Sequence, residues 1–231
     1  MRNSTKIETT EILKQRILSM EIAPGQLLDE VELAETFGMS RTPLREVIQR
    51  LAGEGYLVVE QNRGAKVAPM DFATMRQFFQ AAPMIYASMA RLAAENSTTR
   101  EVAVLKEIQV AYRRSISEKS IRETAMQNHR FHEQVGVMAA SPYLMPSLNR
   151  LLIDHTRISQ TFYRVRAKED ATRIATAADQ HDAMIEAFER HAAAEAVDLT
   201  LAHWSLSRDR IEQYVSPDPL PFELGSKADA V

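Results

Sequence analysis

From Phe72 to Val215 the chain carries apolar residues at helical spacing almost without a break, and no tract in it alternates with the period of a strand. Such a stretch can fold only by packing helix on helix. The pattern predicts six helices: Phe72 to Asn96, Thr99 to Ser117, Ser120 to Ala140, Pro142 to Arg166, Asp170 to His191 and Ala194 to Val215. Asp71 is placed to cap the first. Pro83 is expected to kink that helix, Pro146 to disturb or delay the start of the fourth, and Ser141-Pro142 to serve there as cap and first position. No internal repeat appears, so a solenoid is excluded. Only 7 of 231 residues are glycine, which suits a mainly helical protein. The tail, 217–231, holds Pro217, Pro219 and Pro221 and is expected to be irregular, with Leu220, Phe222 and Leu224 free to dock on the surface.

The first 70 residues read differently. Lys6 to Met20 predicts a helix with Ile12, Leu13, Ile17 and Met20 inward. Pro24-Gly25 ends it, and Gln26 to Asp29 is a candidate short strand. Glu30 to Phe37 predicts a second helix, stopped by Gly38 in the left-handed region. In SRTPLREVIQRLAG, residues 40–53, Leu44, Val47, Ile48 and Leu51 form one apolar stripe, while Arg41, Arg45, Gln49 and Arg50 occupy the other face. Ser40 or Thr42 can cap it, Pro43 is tolerated in its first turn, and Gly53 and Gly55 stop it. Two short helices joined through Gly38-Met39 make a helix-turn-helix. Tyr56 to Glu60 and Ala65 to Pro69 then predict two strands joined by Gln61-Asn62-Arg63-Gly64, a hairpin wing. Arginines on an exposed helix face suit a major groove, and Arg63 at the wing tip suits the minor groove or a phosphate. Each of these side chains alone is equally at home as a solvated surface charge.

At 231 residues the chain is long enough for two domains, one with a sizeable core. A formal net charge of −3 argues against a surface that embraces nucleic acid everywhere. A local patch is another matter: residues 41–50 hold three arginines against Glu46, and Arg63 and Lys66 follow. No tract is apolar enough to span a membrane or to act as a signal peptide, so a cytoplasmic location is expected. The absence of cysteine excludes disulfides and thiolate metal sites.

Three predicted helices carry polar groups on inward faces. Asn128 and His132 are four residues apart, about 40° around a helix that turns about 100° per residue. His181 lies among Ala178, Ile185 and Phe188, and His203 among Leu199 and Leu206. Imidazoles converging from three helices, with an amide oxygen beside them, can hold one divalent transition metal. Equally, each could be a hydrogen-bonded core histidine. His129, His155 and His191 read as surface or core histidines.

The run PGQLLDEVELAETFGMSRTPLREVIQRLAGEGYLVVEQNRGAKV resembles the winged helix of GntR-type transcription regulators almost end to end, above all in SRTPLRE and NRGAKV. The resemblance implies DNA contacts from Arg41, Thr42, Arg45 and the wing at Arg63-Gly64, with Ser40 on a phosphate. Arg50, on the same basic face, joins this set. Val31 departs from it, standing where relatives often carry a basic residue. The C-terminal part resembles the FCD effector domain of the FadR-type branch, an antiparallel helical bundle that in many members binds a metal through an acid or amide and three histidines. Asn128, His132, His181 and His203 fall on that pattern, Asn128 in place of an aspartate. Relatives hold a small carboxylate-bearing metabolite above the metal. In FQAAPMIYASMARLAAE, Ala82 and Tyr86 stand where an arginine and a glutamate are common, so the ligand clamp is altered, with Tyr86 and Arg157 as candidate pocket residues.

The expectation is a mainly α protein: a winged helix-turn-helix over 1–70, a helical effector-binding and dimerisation domain over 71–216, and the irregular tail. It would bind a double-stranded operator as a homodimer, with repression the expected sign. Zinc or nickel would be the cofactor, a small metabolite the effector, and no membrane would be involved. Two rival readings stand beside it. One is a metal-dependent hydrolase using the three histidines, although Glu133 lies about 100° off the face of His132. The other is a DNA-binding dimer without metal.

Overall fold

The computed structural model describes residues 2–61 and 63–215, with side chains described for 5–61 and 63–206. The expectations for Asn62 and for the tail, 217–231 with Leu220, Phe222 and Leu224, lie outside the described residues.

Helix α1 (Arg2–Leu18) opens the chain. Its buried face is Leu13 and Ile17, with Leu18 beside them. The expected stripe is corrected at its edges. Ile12 is 37% exposed and Met20 38%, and the helix stops at Leu18 because Met20 takes φ 62, outside any right-handed helix. In α2 (Glu30–Thr36) the Asp29 carboxylate accepts from the amides of Val31 and Glu32 at 2.8 and 3.1 Å, satisfying two first-turn donors. Helix α3 (Arg41–Gly53) buries Leu44, Val47, Ile48 and Leu51, the four residues that its spacing selects. Ser40 stands at its N-cap without a side-chain bond to the helix.

Strands β1 (Leu57–Glu60) and β2 (Gly64–Val67) pair antiparallel, from Leu57 with Val67 to Glu60 with Gly64. Gly64 closes this three-residue connection at φ 81, a conformation without steric cost only for glycine. The strand expected at Gln26 to Asp29 reduces to one bridge, Leu27 with Lys66, flanked by Val67 N–H to the Gln26 carbonyl at 2.9 Å. Pro24 and Gly25 leave too little extended chain before Asp29 begins its capping turn.

The bundle consists of α4 (Phe72–Asn96), α5 (Thr99–Ser117), α6 (Ile121–Ala139), α7 (Met145–Phe162), α8 (Lys168–Glu189) and α9 (Ala193–Val215). Helix α4 packs on α9 and α6, α5 on α6 and α8, and α6 on α7. It begins as expected under Asp71, whose carboxylate accepts from the Thr74 amide at 2.8 Å, and is one continuous helix through Pro83. Thr98 and Glu101 form a reciprocal capping box at the start of α5. Gly136 sets how closely α7 crosses α6, since a Cβ there would stand 2.4 Å from Leu148 Cδ2.

Helix α7 is shorter than its apolar pattern predicts. It starts at Met145 rather than Pro142, with Pro146 in its first turn, where the missing N–H costs nothing; Ser141 caps a turn and not the helix. It ends at Phe162 rather than Arg166 because Asp170 claims the following backbone. The Asp170 carboxylate accepts from the amides of Arg166 at 2.8 Å and Ala167 at 3.2 Å, holding Ala167 extended and starting α8 at Lys168.

The winged helix and the bundle meet along α7. Ile153 is part of the winged-helix core with Leu13, Ile17 and Leu51. Gln160 Nε2 donates to the Leu18 carbonyl at 3.2 Å. Arg157 is fully buried, donates to the Ala68 carbonyl at 2.7 Å, and is ion-paired with Asp154, which also accepts from Arg150 at 2.8 Å. Residues 150, 153, 154, 157 and 160 fall on one stripe of a helix. Replacing Asp154 by Ala strands the guanidinium of Arg157 in this interface. The expected loss is about 3–5 kcal/mol, read as a lowered denaturant midpoint in chemical unfolding.

Candidate metal centre and nucleic-acid interface

The exposed face of the winged helix carries Ser40, Arg41, Thr42, Arg45, Arg63 and Gly64, all open to solvent. Arg41 and Arg45 are one helical turn apart and share a face. Arg45 keeps 68% of its side chain exposed while its Nε donates to Glu30 at 3.1 Å. A surface pair of this kind is worth little and exchanges readily for a phosphate or a base edge. Arg50 departs from the group. Five residues from Arg45, it is turned about 140° away, and its Nε donates to Glu54 at 2.9 Å.

Inside the bundle, α6 supplies Asn128 and His132, α8 supplies His181 and α9 supplies His203. All four are buried. The ligand nitrogens of the three histidines lie within 4.8 Å of one another, the one such group among the described residues. Asn128 Oδ1, His132 Nε2 and His181 Nε2 are buried without a hydrogen-bond partner. Such atoms cost roughly 1–3 kcal/mol each when nothing meets them. Two of them belong to the imidazole cluster and Asn128 is one helical turn before His132 on α6, and open donors of this kind suit a bound cation.

The tautomers agree. Gln109 Nε2 donates to the Ala178 carbonyl at 2.9 Å, which orients the amide so that its Oε1 faces His181 Nδ1 at 3.2 Å. His181 Nδ1 therefore carries the proton and Nε2 keeps its lone pair. His203 repeats this arrangement, with Nδ1 3.1 Å from Gln180 Oε1. A metal-binding histidine characteristically donates its other nitrogen to an outer partner. Phe131 stacks on His181 at 3.7 Å between ring centres and holds the ring plane.

Burial also keeps these rings neutral. It pushes the imidazole of His203 down to about 4. His132 and His181 lie well below the ordinary imidazole range, through burial first and the neighbouring imidazoles second. Neutral nitrogen donors and an amide oxygen fit zinc, nickel, cobalt or copper, and fit magnesium or calcium poorly. With three protein nitrogens on it, such an ion would supply Lewis acidity to any group bound beside it. Glu133, next to His132 in sequence, faces outward into the cleft between α6 and the winged helix with Lys14 and Tyr56, and Asp182, next to His181, is ion-paired with Arg113.

Two residues are placed differently from their sequence reading. Arg157 is not in the pocket. It is two residues from His155, about 200° around α7, and its hydrogen bonds go to Ala68 and Asp154 at the winged-helix junction. His155, read from sequence as surface or core, lies at the cluster. Its ring centre is 5.1 Å from that of His132, and its Nδ1 is 2.7 Å from the Tyr86 hydroxyl. Tyr86, His132, His155, Thr200, His203 and Trp204 line a cavity of ≈ 10 Å³, room for about one water. No sequence motif marks His155. Its signal was its position beside apolar Leu152, Ile153 and Ile158, which an ordinary core residue shares.

The acid response follows in sign. An unfolded imidazole takes its proton near 6.5, whereas His203 in the fold holds out to about 4. Between these values the unfolded chain carries more protons, so stability is complete above about 6.5 and declines as pH falls through that window. Stripped protein given zinc or nickel at 100 times Kd should gain about 2.7 kcal/mol, seen as a higher melting temperature. Acidification should erase the gain, and His181→Ala should lose it at every pH.

The chain is similar to two families of known domain. The model described as bacterial regulatory proteins, gntR family, matches residues 6–67, and the FCD domain matches residues 77–206. The Nta operon transcriptional regulator of Aminobacter aminovorans is 29% identical over 134 residues, 58% of this chain and 63% of that protein. The HTH-type transcriptional repressor RspR of Escherichia coli strain K12 is 30% identical over 128 residues, 55% of this chain and 56% of that one. The match thus spans less than two thirds of either relative. Among solved structures, E. coli McbR/YncC superposes with a TM-score of 0.77 at 18% identity, covering 92% of this chain and 99% of that one, which shows a shared fold.

Proposed function

The chain belongs to the gntR family of bacterial regulatory proteins and carries the FCD domain, and from that premise we propose that it is an operator-binding repressor controlled through its helical bundle. That it is a DNA-binding transcription regulator and not an enzyme follows from the family. The finer reading is that Arg41 and Arg45 of α3 read bases, that Ser40, Thr42, Arg63 and Gly64 hold the backbone, and that Arg50 contributes at most a phosphate contact once freed from Glu54. Repression is favoured by RspR, which is named a repressor. Division of labour near residue 70, with 71–216 sensing and dimerising, is part of the proposal. A dimer places two recognition helices on a two-fold related site.

The control element is the histidine cluster. A divalent ion on His132, His181 and His203, with Asn128 as a weaker oxygen ligand, would be joined by a small molecule beside it, with Tyr86 at its edge. The observation that carries this reading is the trio of buried atoms without partners, Asn128 Oδ1, His132 Nε2 and His181 Nε2. With neither an ion nor a water beside them, all three are left unmet. Among the described residues no helix is long and apolar enough to cross a membrane.

Arg45→Ala should weaken binding to a duplex selected by the parent protein by roughly 1–3 kcal/mol, the worth of a bidentate base contact. Arg50→Ala should cost well under that. The logarithm of the parent's affinity should fall linearly with the logarithm of salt concentration in fluorescence anisotropy. Equal binding by parent and Arg45→Ala at fixed salt would refute the recognition-face assignment.

A further inference from the structure

Gln109 belongs to α5, a helix that gives the histidine cluster no ligand, yet its side chain ends against one. It is buried, and a buried amide is tolerated only when both of its ends are met. The Ala178 carbonyl meets one end, accepting from Nε2 at 2.9 Å. That bond turns the other end, Oε1, toward His181 Nδ1 at 3.2 Å as an acceptor. Two acceptors facing each other there would repel, so the ring is held with its proton on Nδ1. Packing alone does not achieve this. Phe131 stacks on the His181 ring at 3.7 Å and Tyr112 lies 5.0 Å from its centre, which fixes the plane of the ring but does not choose between its two nitrogens.

We propose that Gln109 is a positioning residue of the metal centre, one that reserves the Nε2 lone pair of His181 for the ion, and that it does so because it is an amide. This deepens the metal reading of the cluster given above and rests on it. The identity of the residue follows from its two partners. Ala178 requires a donor and the His181 Nδ1–H requires an acceptor, and a carboxamide supplies both at a fixed spacing. A carboxylate in its place sets an oxygen against the Ala178 carbonyl. A thioether of similar length offers no donor and only a weak acceptor.

The other two imidazoles of the cluster show by contrast what this anchor does. His203 Nδ1 is 3.1 Å from Gln180 Oε1, but no second hydrogen bond pins that amide among the described residues, so either of its ends can face the ring. His132 is held by ring packing, with Tyr86, Phe131 and His155 at 5.2, 5.6 and 5.1 Å from its centre. Neither of its nitrogens has a hydrogen bond among the described residues. The three ligands are therefore unequal. His181 is set in plane and tautomer before an ion arrives, whereas the tautomer of His132 is left for the ion to select. A group already in its binding form contributes more affinity, because the cost of ordering it does not fall on the binding step.

The test uses the full chain stripped of metal, as parent, Gln109→Met and Gln109→Glu. Two-bond proton–nitrogen spectra of the imidazoles report the tautomer of His181, its ring identified by its absence from His181→Ala. Each protein is then titrated with Ni2+ against a chelator of known affinity. In the parent, His181 should carry its proton on Nδ1, and one Ni2+ should bind per chain. Gln109→Met should lose the single Nδ1–H form and bind Ni2+ about tenfold or more weakly. Gln109→Glu keeps an acceptor beside Nδ1 while it unpairs the Ala178 carbonyl. It should melt at a lower temperature than the parent, yet keep the parent's tautomer and at least match its Ni2+ affinity. This second variant decides the matter if Gln109→Met shows no cooperative melt. A proton on Nε2 of His181 in the parent, parent-like affinity in Gln109→Met, weakened affinity there with the tautomer unchanged, or loss of the Nδ1–H form in Gln109→Glu would overturn the proposal and leave the three-histidine site standing. A parent that takes up no Ni2+ would overturn both.

Discussion

A buried guanidinium is tolerated in a protein interior only when its charge is paired, and the burial of Arg157 imposes that condition on the whole molecule. Its side chain is inaccessible to solvent; one terminal nitrogen donates to the Ala68 carbonyl and the other pairs with Asp154, while Nε is buried without a partner. Asp154 lies in the same helix, so half of the arrangement is local. Ala68 lies 89 positions away in the chain, at the exit from the wing. The winged helix and the bundle are thereby held at one registration, since a displacement of either domain would leave a charge or a carbonyl buried without a partner. Gly55 belongs to the same junction. A Cβ there would come within 2.6 Å of the Arg150 side chain, so the chain leaving α3 passes directly against α7.

That registration gives α7 two distinct faces. One is built into the winged helix through Ile153, Arg157 and Gln160. The other presents His155 to His132 of α6 and, across a small cavity, to His203 of α9. A rigid helix anchored on both sides can relay a small change, because packed interfaces shift between discrete arrangements rather than deforming gradually. Helix α6 is close to the same junction, with His132 in the cluster and His129 and Glu133 on the interdomain cleft. His129 is tied to α7 by its Nδ1 contact with Thr156 at 2.7 Å. Both helices that carry the cluster toward the DNA-binding domain are therefore also linked to each other.

The chemistry of the cluster differs in charge from one containing an aspartate. Three neutral imidazoles and an amide leave the full double charge of an ion uncompensated by the protein, in a region lined by aromatic side chains. Tyr86 is packed against Trp204 and His155, and burial raises its hydroxyl far above the ordinary phenol range, so it adds no negative charge. Soft, nitrogen-preferring ions bear this better than oxygen-preferring ones, and an additional imidazole stabilises them further.

Much of this was legible in the sequence because it depends on local rules. Helical periodicity placed α4 and α5 to the residue, since Asp71 and Thr98 cap them and their apolar stripes run unbroken to Asn96 and Ser117. The stripe of α3 and the glycine at the wing likewise follow from neighbours a few residues apart. The spacing of Asn128 and His132 put them on one face wherever that helix packed. What the sequence left open was decided by partners distant in the chain. Asp170 reached back to end α7 early. Ala68 took Arg157 out of the pocket, and Tyr86, 69 positions from His155, drew that imidazole to the cluster. A lone histidine between leucines and isoleucines has no period to declare its role, and a single arginine shows no sign of the carbonyl it will meet. Periodicity fixes which side of a helix is inward, but only tertiary packing determines which of two inward sides faces the histidine cluster and which faces the winged helix.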